Sequence, residues 1–253
     1  FWVKSRGQRL SAMVHAPETE PAAAVVMCHG FTGDKVGANL MNVNLAKALA
    51  KAGYAVVRFD YLGSGDSDGD FATDTYISGW LEDLENIVAW ARGEKNLAGL
   101  PLVLYGHSLG GLIILCRRDK GDVAARVAFA PVVSPVENFR DIILGPELWA
   151  KSCAGEEVAN FYGKAFTLGG RFVRDLLANK FDPLADAASL TAPLLIVHGT
   201  ADAAVPIAGS EKLSVVYGGP KVFAAGADVK EMAAWSYQEM VDRSAALQAS
   251  FTA

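Results

Sequence analysis

The stretch PLVLYGHSLGGLIILCRR, residues 101–118, places the pattern Gly-x-Ser-x-Gly between an apolar, strand-like run and a helix-like run. In that context the pattern builds a sharp turn that lifts the serine hydroxyl out of a sheet, and the residues beside the serine must be small. Ser108 is therefore the predicted nucleophile, and the backbone N–H of Leu109 can face a developing oxyanion. The alternative is a glycine-rich turn around a buried serine, in a chain that has 25 glycines.

Apolar runs of strand length recur on both sides of this stretch and alternate with longer amphipathic runs. The strand-like runs lie at 9–15, 22–28, 54–59, 101–105, 125–130 and 193–198, with a weaker last one at 220–225. Several are nearly continuous in hydrophobic residues, which is typical of parallel strands covered on both faces. Helical runs lie between them at 40–52 and 77–91, and 229–247 reads as a closing helix. The alternation predicts one α/β domain over 1–253, with a mostly parallel sheet and helices on both faces.

Residues 132–182 break the alternation with prolines, glycines and scattered aromatic residues. We predict that they form a cap or lid insertion over the carboxyl edge of the sheet. The alternative is that they are ordinary helices of the main layer.

Composition excludes several classes of partner. The chain has 253 residues, is 51% hydrophobic, and carries a formal net charge of -5, which favours neither nucleic acid nor an anionic membrane surface. No apolar run approaches the roughly 18–20 residues that span a bilayer. Three widely spaced cysteines suggest a reducing compartment, so we expect a cytoplasmic protein. No Cys/His cluster indicates zinc. The first residue is Phe1 rather than Met, so an upstream leader is compatible with the sequence.

A second loop can complete an oxyanion hole. The stretch CHGFTG, residues 28–33, follows the strand-like run at 22–28, and we assign the second donor to the N–H of Phe31. Losing one of two such donors typically lowers the rate by about 10²–10³-fold. We expect His29 to bond within this loop, in preference to acting as a general base.

A carboxylate follows the run at 193–198, within HGTADAAVP at 198–206. Asp202 can orient a histidine and stabilise its cation. The chain order Ser, then Asp, then His is the order expected of the fold in which this serine motif occurs, and Asp202 fits the first two places. The alternative is a turn aspartate that caps the next helix. Asp60 is interpreted as a structural residue that binds backbone at a strand end.

With these motifs placed, the chain resembles the α/β-hydrolase superfamily, among the small esterases that include the cinnamoyl and feruloyl esterases. The resemblance covers about 1–219 and rests on HGFTGD at 29–34, RFDYLGSGDSDG at 58–69, GHSLGG at 106–111 and HGTADAAVP at 198–206.

By this resemblance Ser108 is the nucleophile, Asp202 the acid, and the N–H groups of Phe31 and Leu109 the oxyanion hole. It also implies a small-molecule carboxylic ester as substrate and no cofactor or metal. The cinnamoyl members have a small lid that shapes an aromatic acyl pocket.

The sequence departs from that family where the catalytic histidine should stand. After the last strand the family usually has Gly-Ala-Asp-His, whereas this chain has Gly-Ala-Asp-Val, with Val229 at the expected position. None of the four histidines follows Asp202; they are His15, His29, His107 and His198.

The same place resembles a second family. KVFAAGADVKEMAAWSYQEMVDR, residues 221–243, is similar to a segment of the enoyl-CoA hydratases, or crotonases. We favour a hybrid whose C-terminus was replaced by fusion, cloning or frame change; drift of a hydrolase end is the alternative. A crotonase activity is the least favoured function, because the glutamate-bearing regions of that family are missing.

Three functional hypotheses follow. The first is a serine carboxylesterase, cinnamoyl-type or general, with activity weakened by the missing histidine. The second is a non-catalytic domain that binds a small hydrophobic ligand in the old pocket. The third is a thioesterase, lipase or C–C hydrolase on the same fold.

Overall fold

The structure, a computed structural model, describes residues 1–161 and 163–225. Val229, the helical run at 229–247 and most of the crotonase-like stretch lie outside the described residues. These predictions therefore stay predictions.

The described elements form one large sheet with helices around it. The strands are β1 Trp2–Ser5, β2 Gln8–His15, β3 Ala24–Cys28, β4 Ala55–Phe59, β5 Leu102–His107, β6 Ala125–Phe129, β7 Val158–Ala159, β8 Thr167–Leu168, β9 Leu194–His198 and β10 Lys221–Ala225. The helices are α1 Met41–Lys51, α2 Phe71–Asp74, α3 Ile77–Gly93, α4 Leu109–Cys116, α5 Pro135–Glu137, α6 Gly145–Cys153, α7 Arg171–Asn179, α8 Pro183–Ala187 and α9 Ala208–Val216, with a 3₁₀ turn at Ala38–Leu40 and a π-helical segment at Asn138–Ile143.

Eight strands make the main sheet, in the order β1-β2-β4-β3-β5-β6-β9-β10. β2 pairs antiparallel with β1 and with β4, and the pairings from β4 through β10 are parallel. The carboxyl ends of the parallel strands therefore meet at one edge of the sheet. The turn after β5 lies at the centre of that edge, where open α/β sheets bind their ligands.

Alternate residues of the central strands enter two different cores, which is why these strands read as continuous apolar runs. In β3, every residue is buried. Val26 packs into the larger core, which contains Trp80 of α3. Val25 and Met27 pack on the other face, where Ala46 of α1 belongs to the same cluster.

The predicted strands and the helix at 77–91 are confirmed to within two residues at their ends. β1 was not predicted. It forms a hairpin with β2 through Arg6 and Gly7, which both have positive φ, at 48° and 76°. Residues 132–182 contain α5, α6, α7, the π-helical segment and the small antiparallel pair β7–β8.

A buried ion pair fixes the loops beyond β3 and β4. The Asp60 carboxylate is fully buried and accepts from the backbone N–H and the Nζ of Lys35, each at 2.5 Å. It also accepts from the N–H of Asp66 at 2.9 Å. The expectation that Asp60 binds backbone at a strand end is confirmed. Lys35 was not foreseen as its partner, since the two residues meet only in the folded chain.

Candidate active site

Ser108 occupies a strained turn between β5 and α4. Its backbone has φ 55° and ψ -116°, a conformation that costs a non-glycine residue of order 1–3 kcal/mol. Neighbouring backbone holds it in place: its N–H donates to the carbonyl of Phe129 at 2.9 Å, and its carbonyl accepts from Val132 at 3.1 Å. The chain thus maintains the sharp turn expected from the sequence.

The glycines beside this serine are required by close approach of backbone. A Cβ on Gly106 would lie 2.3 Å from the carbonyl oxygen of Gly110, and a Cβ on Gly110 would lie 2.3 Å from that of Cys28. The helix after the serine therefore packs directly on the end of β3. Only glycine fits at these two positions, which explains the Gly-x-Ser-x-Gly pattern physically.

The loop after β3 lies against the serine side chain. A Cβ on Gly30 would be 3.0 Å from the Cβ of Ser108. Within the described residues, no acceptor takes a hydrogen bond from the N–H of Phe31 or of Leu109. The two donors predicted from the sequence are thus uncommitted, and one belongs to the loop that touches the serine while the other follows the serine directly.

His29 is held as a structural residue of this loop. Its Nε2 accepts from the N–H of Tyr61 at 3.3 Å, so the ring proton is on Nδ1, which donates to the carbonyl of Gly30 at 2.8 Å. Its ring packs edge-on against Tyr61 and Trp80. Burial lowers the pKa of His29. With both nitrogens engaged, His29 does not serve as a base without breaking the loop.

A cluster of phenylalanines surrounds the half-buried side chain of Phe31. Its ring centroid lies 4.9–5.7 Å from the rings of four others, namely Phe71, Phe139, Phe161 and Phe172. Three of these four come from residues 132–182, and all three are at most 1% exposed. Through these aromatic side chains, the 132–182 region packs against the loop after β3. The family resemblance had suggested that aromatic residues of this region could shape an acyl pocket.

Residues 132–182 also bind the start of α3. The carboxylate of Asp175, in α7, accepts from the N–H of Ser78 at 2.9 Å and from its hydroxyl at 2.6 Å. Ser78 is the second residue of α3, so this carboxylate satisfies one of the unpaired N–H groups at the helix start. The guanidinium of Arg171 lies 3.5 Å from the centre of the Tyr76 ring.

Asp202 lies in the loop after β9, two strands away from β5. Its Oδ1 accepts from the N–H groups of Ala204 and Val205, both at 2.9 Å. Its Oδ2 lies 3.7 Å from Nε2 of His198, and 23% of the side chain is exposed. One carboxylate oxygen thus stabilises the turn, and the other accepts no hydrogen bond from the described residues. This arrangement is compatible with Asp202 as the catalytic acid and with Asp202 as a turn residue.

The histidines do not supply a base in the described ranges. His198 is fully buried; its Nε2 contacts the carbonyl of Val205 at 2.8 Å and its Nδ1 the hydroxyl of Ser210 at 2.7 Å. His15 accepts from Arg58 on β4. Burial lowers the pKa of His107 to about 4, although the Asp202 charge opposes the shift.

The His107 ring packs against Phe129, with the ring centroids 5.5 Å apart. No histidine nitrogen is hydrogen-bonded to Ser108 anywhere in residues 1–161 and 163–225. The position at which a base was expected, Val229, lies outside the described residues.

Neither a metal centre nor a spanning helix emerges from the described residues. They hold no group of three or more His, Cys, Asp or Glu side chains arranged to bind a metal ion. None of their helices combines the length and apolarity needed to cross a membrane.

The family follows from comparison with known proteins. Residues 19–166, more than half of the chain, match the family described as serine aminopeptidase, S33. The chain belongs to this S33 family. Its architecture is accordingly the α/β-hydrolase fold, and the S33 chain is a hydrolase by family.

Individual relatives agree with this assignment. A monoacylglycerol lipase of Mycolicibacterium smegmatis is 28% identical in an alignment of 232 positions, and the match covers 82% of this chain and 80% of the lipase. The structure of Est1E from Butyrivibrio proteoclasticus with bound ferulic acid has a TM-score of 0.75 and 25% identity, and the match covers 89% of each chain. A monoacylglycerol lipase from Paleococcus ferrophilus has a TM-score of 0.66 at 20% identity, over 86% of this chain and 89% of that one, which shows the shared fold.

Proposed function

We propose that this S33 protein is a serine hydrolase of small carboxylic esters, working through an acyl-enzyme on Ser108. The observation that carries the proposal is the strained turn at Ser108 together with the N–H groups of Phe31 and Leu109, which have no acceptor among the described residues. Such donors stabilise the oxyanion of a tetrahedral intermediate. The lipase named among the relatives also acts on an ester, which supports this reaction class.

In this mechanism, Oγ of Ser108 attacks the ester carbon and the alcohol leaves with a proton. Water then attacks the acyl-enzyme, releasing the acid and restoring the hydroxyl. The N–H groups of Phe31 and Leu109 bind the oxyanion in both steps. Asp202 is the acid that would orient a histidine.

The rate of ester hydrolysis depends on the general base, and the sequence has no histidine at the expected position, Val229. Serine at its ordinary pKa is a poor nucleophile unless a base accepts its proton. In serine proteases that lose one triad member, the oxyanion hole and substrate binding still give a residual rate of about 10³–10⁴-fold over water. We therefore expect slow hydrolysis by this chain, with the proton passing to water.

We further propose that residues 132–182 act as a lid on this site. Support comes from their phenylalanines around Phe31 and from the contact between Asp175 and Ser78. We also propose that the enzyme prefers cinnamoyl or feruloyl esters to other small esters. The Est1E structure holds ferulic acid, whereas Phe139, Phe161 and Phe172 of this lid are buried around Phe31. A substrate panel of feruloyl, acetyl and butyryl esters decides this preference.

The second candidate function is a non-catalytic domain that binds a small hydrophobic ligand. The observation that favours it is the absence of any histidine after His198 in the sequence. In that case a ligand binds without turnover, and Ser108→Ala leaves its affinity unchanged.

The deciding experiment measures hydrolysis of p-nitrophenyl acetate by the parent chain, Ser108→Ala and Val229→His, with Val229→Gln as a matched control for the new polar group. We expect a slow parent, no enzyme-dependent rate in Ser108→Ala, and a gain of at least about tenfold in Val229→His alone. A fast parent that depends on Ser108 would show that another group acts as the base. No Ser108-dependent rate in any variant would favour the binding domain.

A further inference from the structure

The peptide group between Gly30 and Phe31 carries one of the two proposed oxyanion donors. It is trans and planar, so the Gly30 carbonyl and the Phe31 N–H point in opposite directions from one rigid plane. Whatever fixes the direction of this carbonyl therefore also fixes the direction of the donor. The group lies beside the nucleophile, because a Cβ on Gly30 would be 3.0 Å from the Cβ of Ser108.

Two hydrogen bonds hold the Gly30 carbonyl. The Nδ1–H of His29 donates to it at 2.8 Å, and the N–H of Gly33 donates to it at 3.0 Å. A carbonyl oxygen has two lone pairs, so these two donors occupy its accepting capacity. The N–H of Phe31, on the other side of the same plane, has no acceptor among the described residues. The loop thus engages the carbonyl and leaves the donor available to a ligand.

This loop does not keep its shape through the intrinsic preference of its backbone. Thr32, which follows Phe31 directly, has a φ of 56°, and left-handed backbone is an outlier for a β-branched residue. Such strain persists only where surrounding contacts over-determine the conformation. Gly33 belongs to the loop and would move with it, whereas the side chain of His29 is held by residues outside the loop.

The ring of His29 is fixed by the segment after β4 and by α3. Its Nε2 accepts from the N–H of Tyr61 at 3.3 Å, and the residue is 2% exposed. The ring packs edge-on against Tyr61 and Trp80, with centroids 4.8 and 5.3 Å away. Those two rings are stacked on each other at 4.0 Å, and Trp80 belongs to α3. One imidazole therefore connects the loop after β3 to the core of the molecule.

We propose that His29 is a positioning residue, which directs the Phe31 N–H toward the oxyanion by holding the Gly30 carbonyl. The inference rests on the proposed acyl transfer at Ser108, because the donor has a catalytic use only when an oxyanion forms. In this role His29 acts through the backbone and accepts no proton from the serine. Its loss lowers kcat and leaves KM nearly unchanged, since the oxyanion is absent from the bound ester.

Three variants separate the two hydrogen bonds of the His29 ring. His29→Asn places an amide nitrogen as many bonds from Cβ as Nδ1, and so retains a donor for the Gly30 carbonyl. His29→Gln places an amide oxygen as many bonds from Cβ as Nε2, and so retains the acceptor for Tyr61. His29→Phe retains a ring and neither bond. Tyr217→Phe is the matched control, because it removes a buried bond from a side chain to the Ala192 carbonyl, which precedes β9 at the opposite edge of the sheet.

The first measurement is the Ser108-dependent hydrolysis of p-nitrophenyl acetate. Losing one oxyanion donor typically lowers the rate by about 10²–10³-fold. We expect kcat to fall at least about tenfold in His29→Phe and His29→Gln, with KM within about twofold, and to return to within about threefold of the parent in His29→Asn. Tyr217→Phe should keep the parent kcat. Equal losses in all three His29 variants, or a change in KM alone, would overturn the proposal.

The second measurement does not depend on turnover. The residual dipolar coupling of the Phe31 N–H reports its direction in each folded variant, with the N–H groups of β5 and β6 as reference. We expect this coupling to change in His29→Phe and His29→Gln and to be kept in His29→Asn. His29→Gln carries the test if His29→Phe does not fold. An unchanged coupling in the Gln variant would overturn the proposal, whatever the rates. A changed coupling without any Ser108-dependent hydrolysis would reject the proposed function and still support the positioning of this donor.

Discussion

The two halves of the candidate site differ in completeness. On the nucleophile side, the ends of β3 and β5 are in backbone contact, since Gly110 packs on Cys28 and Gly30 on Ser108. On the acid side, the hydrogen bonds that Asp202 makes with other described residues all lie in its own turn, and its second oxygen is 3.7 Å from Nε2 of His198, which already contacts the carbonyl of Val205. Geometry that depends on backbone packing is therefore present at Ser108, although no histidine within residues 1–161 and 163–225 is hydrogen-bonded to it. The fold and the proton transfer depend on different residues.

The largest expected effect is a loss of stability when a single methyl group is added beside the nucleophile. Gly110→Ala places a Cβ 2.3 Å from the carbonyl oxygen of Cys28, where only backbone could yield. We expect the free energy of unfolding to fall by about 3 kcal/mol or more, as measured by urea denaturation. Gly93→Ala, at the end of α3 with no atom within 4 Å of the new Cβ, is the matched control and should be neutral or stabilising. Equal losses in both variants would contradict the close-packing account.

A smaller effect is expected on the acid side. Asp202→Ala removes the acceptor of two backbone N–H groups, so the unfolding free energy should fall by about 1–2 kcal/mol. Asp202→Asn keeps an acceptor oxygen and should recover most of that loss.

The control for this variant is Asp182→Ala, because Asp182 accepts from two N–H groups of α8 in the same way, at 3.1 and 3.0 Å. Both alanine variants should lose similar stability, by thermal unfolding. In the Val229→His background, only the Asp202 variants should lower the rate at which a fluorophosphonate labels Ser108, because Asp202 would orient the introduced histidine. Identical labelling in all of them would leave Asp202 as a turn residue.

The smallest expected effect is on the pH dependence of stability. It concerns His107, which precedes Ser108 and senses the charge of Asp202. Desolvation lowers the pKa of His107 in the folded chain to about 4, against an ordinary value of 6.5. The unfolded chain thus binds more protons between these values, so this contribution to stability is full above pH 6.5 and decreases as the pH falls toward 4. His107→Gln should flatten the pH dependence of unfolding in that window. An unchanged slope would assign it to other groups, including buried His29.

Much of this could be predicted from local patterns. The strands that are covered on both faces could be predicted because they are continuous apolar runs. The turn at Ser108 could be predicted because the glycines it requires are its neighbours in the sequence. The contact between Phe31 and Phe172 joins residues far apart in the chain, and no spacing rule reveals it. The same holds for Lys35 with Asp60 and for Asn138 with Ala204. The hairpin of β1 had a signal in Gly7, but one glycine does not identify a strand pair.

The strained backbone of Ser108 has a meaning for how this chain evolved. Glycine would adopt the same φ of 55° with little strain, at the expense of a more flexible unfolded chain. A lineage selected for folding alone would gain little or nothing by keeping a serine there. At this residue, selection for catalysis favours serine, whereas selection for stability alone does not. Sequencing of populations evolved only for thermal tolerance would show whether serine is kept or replaced.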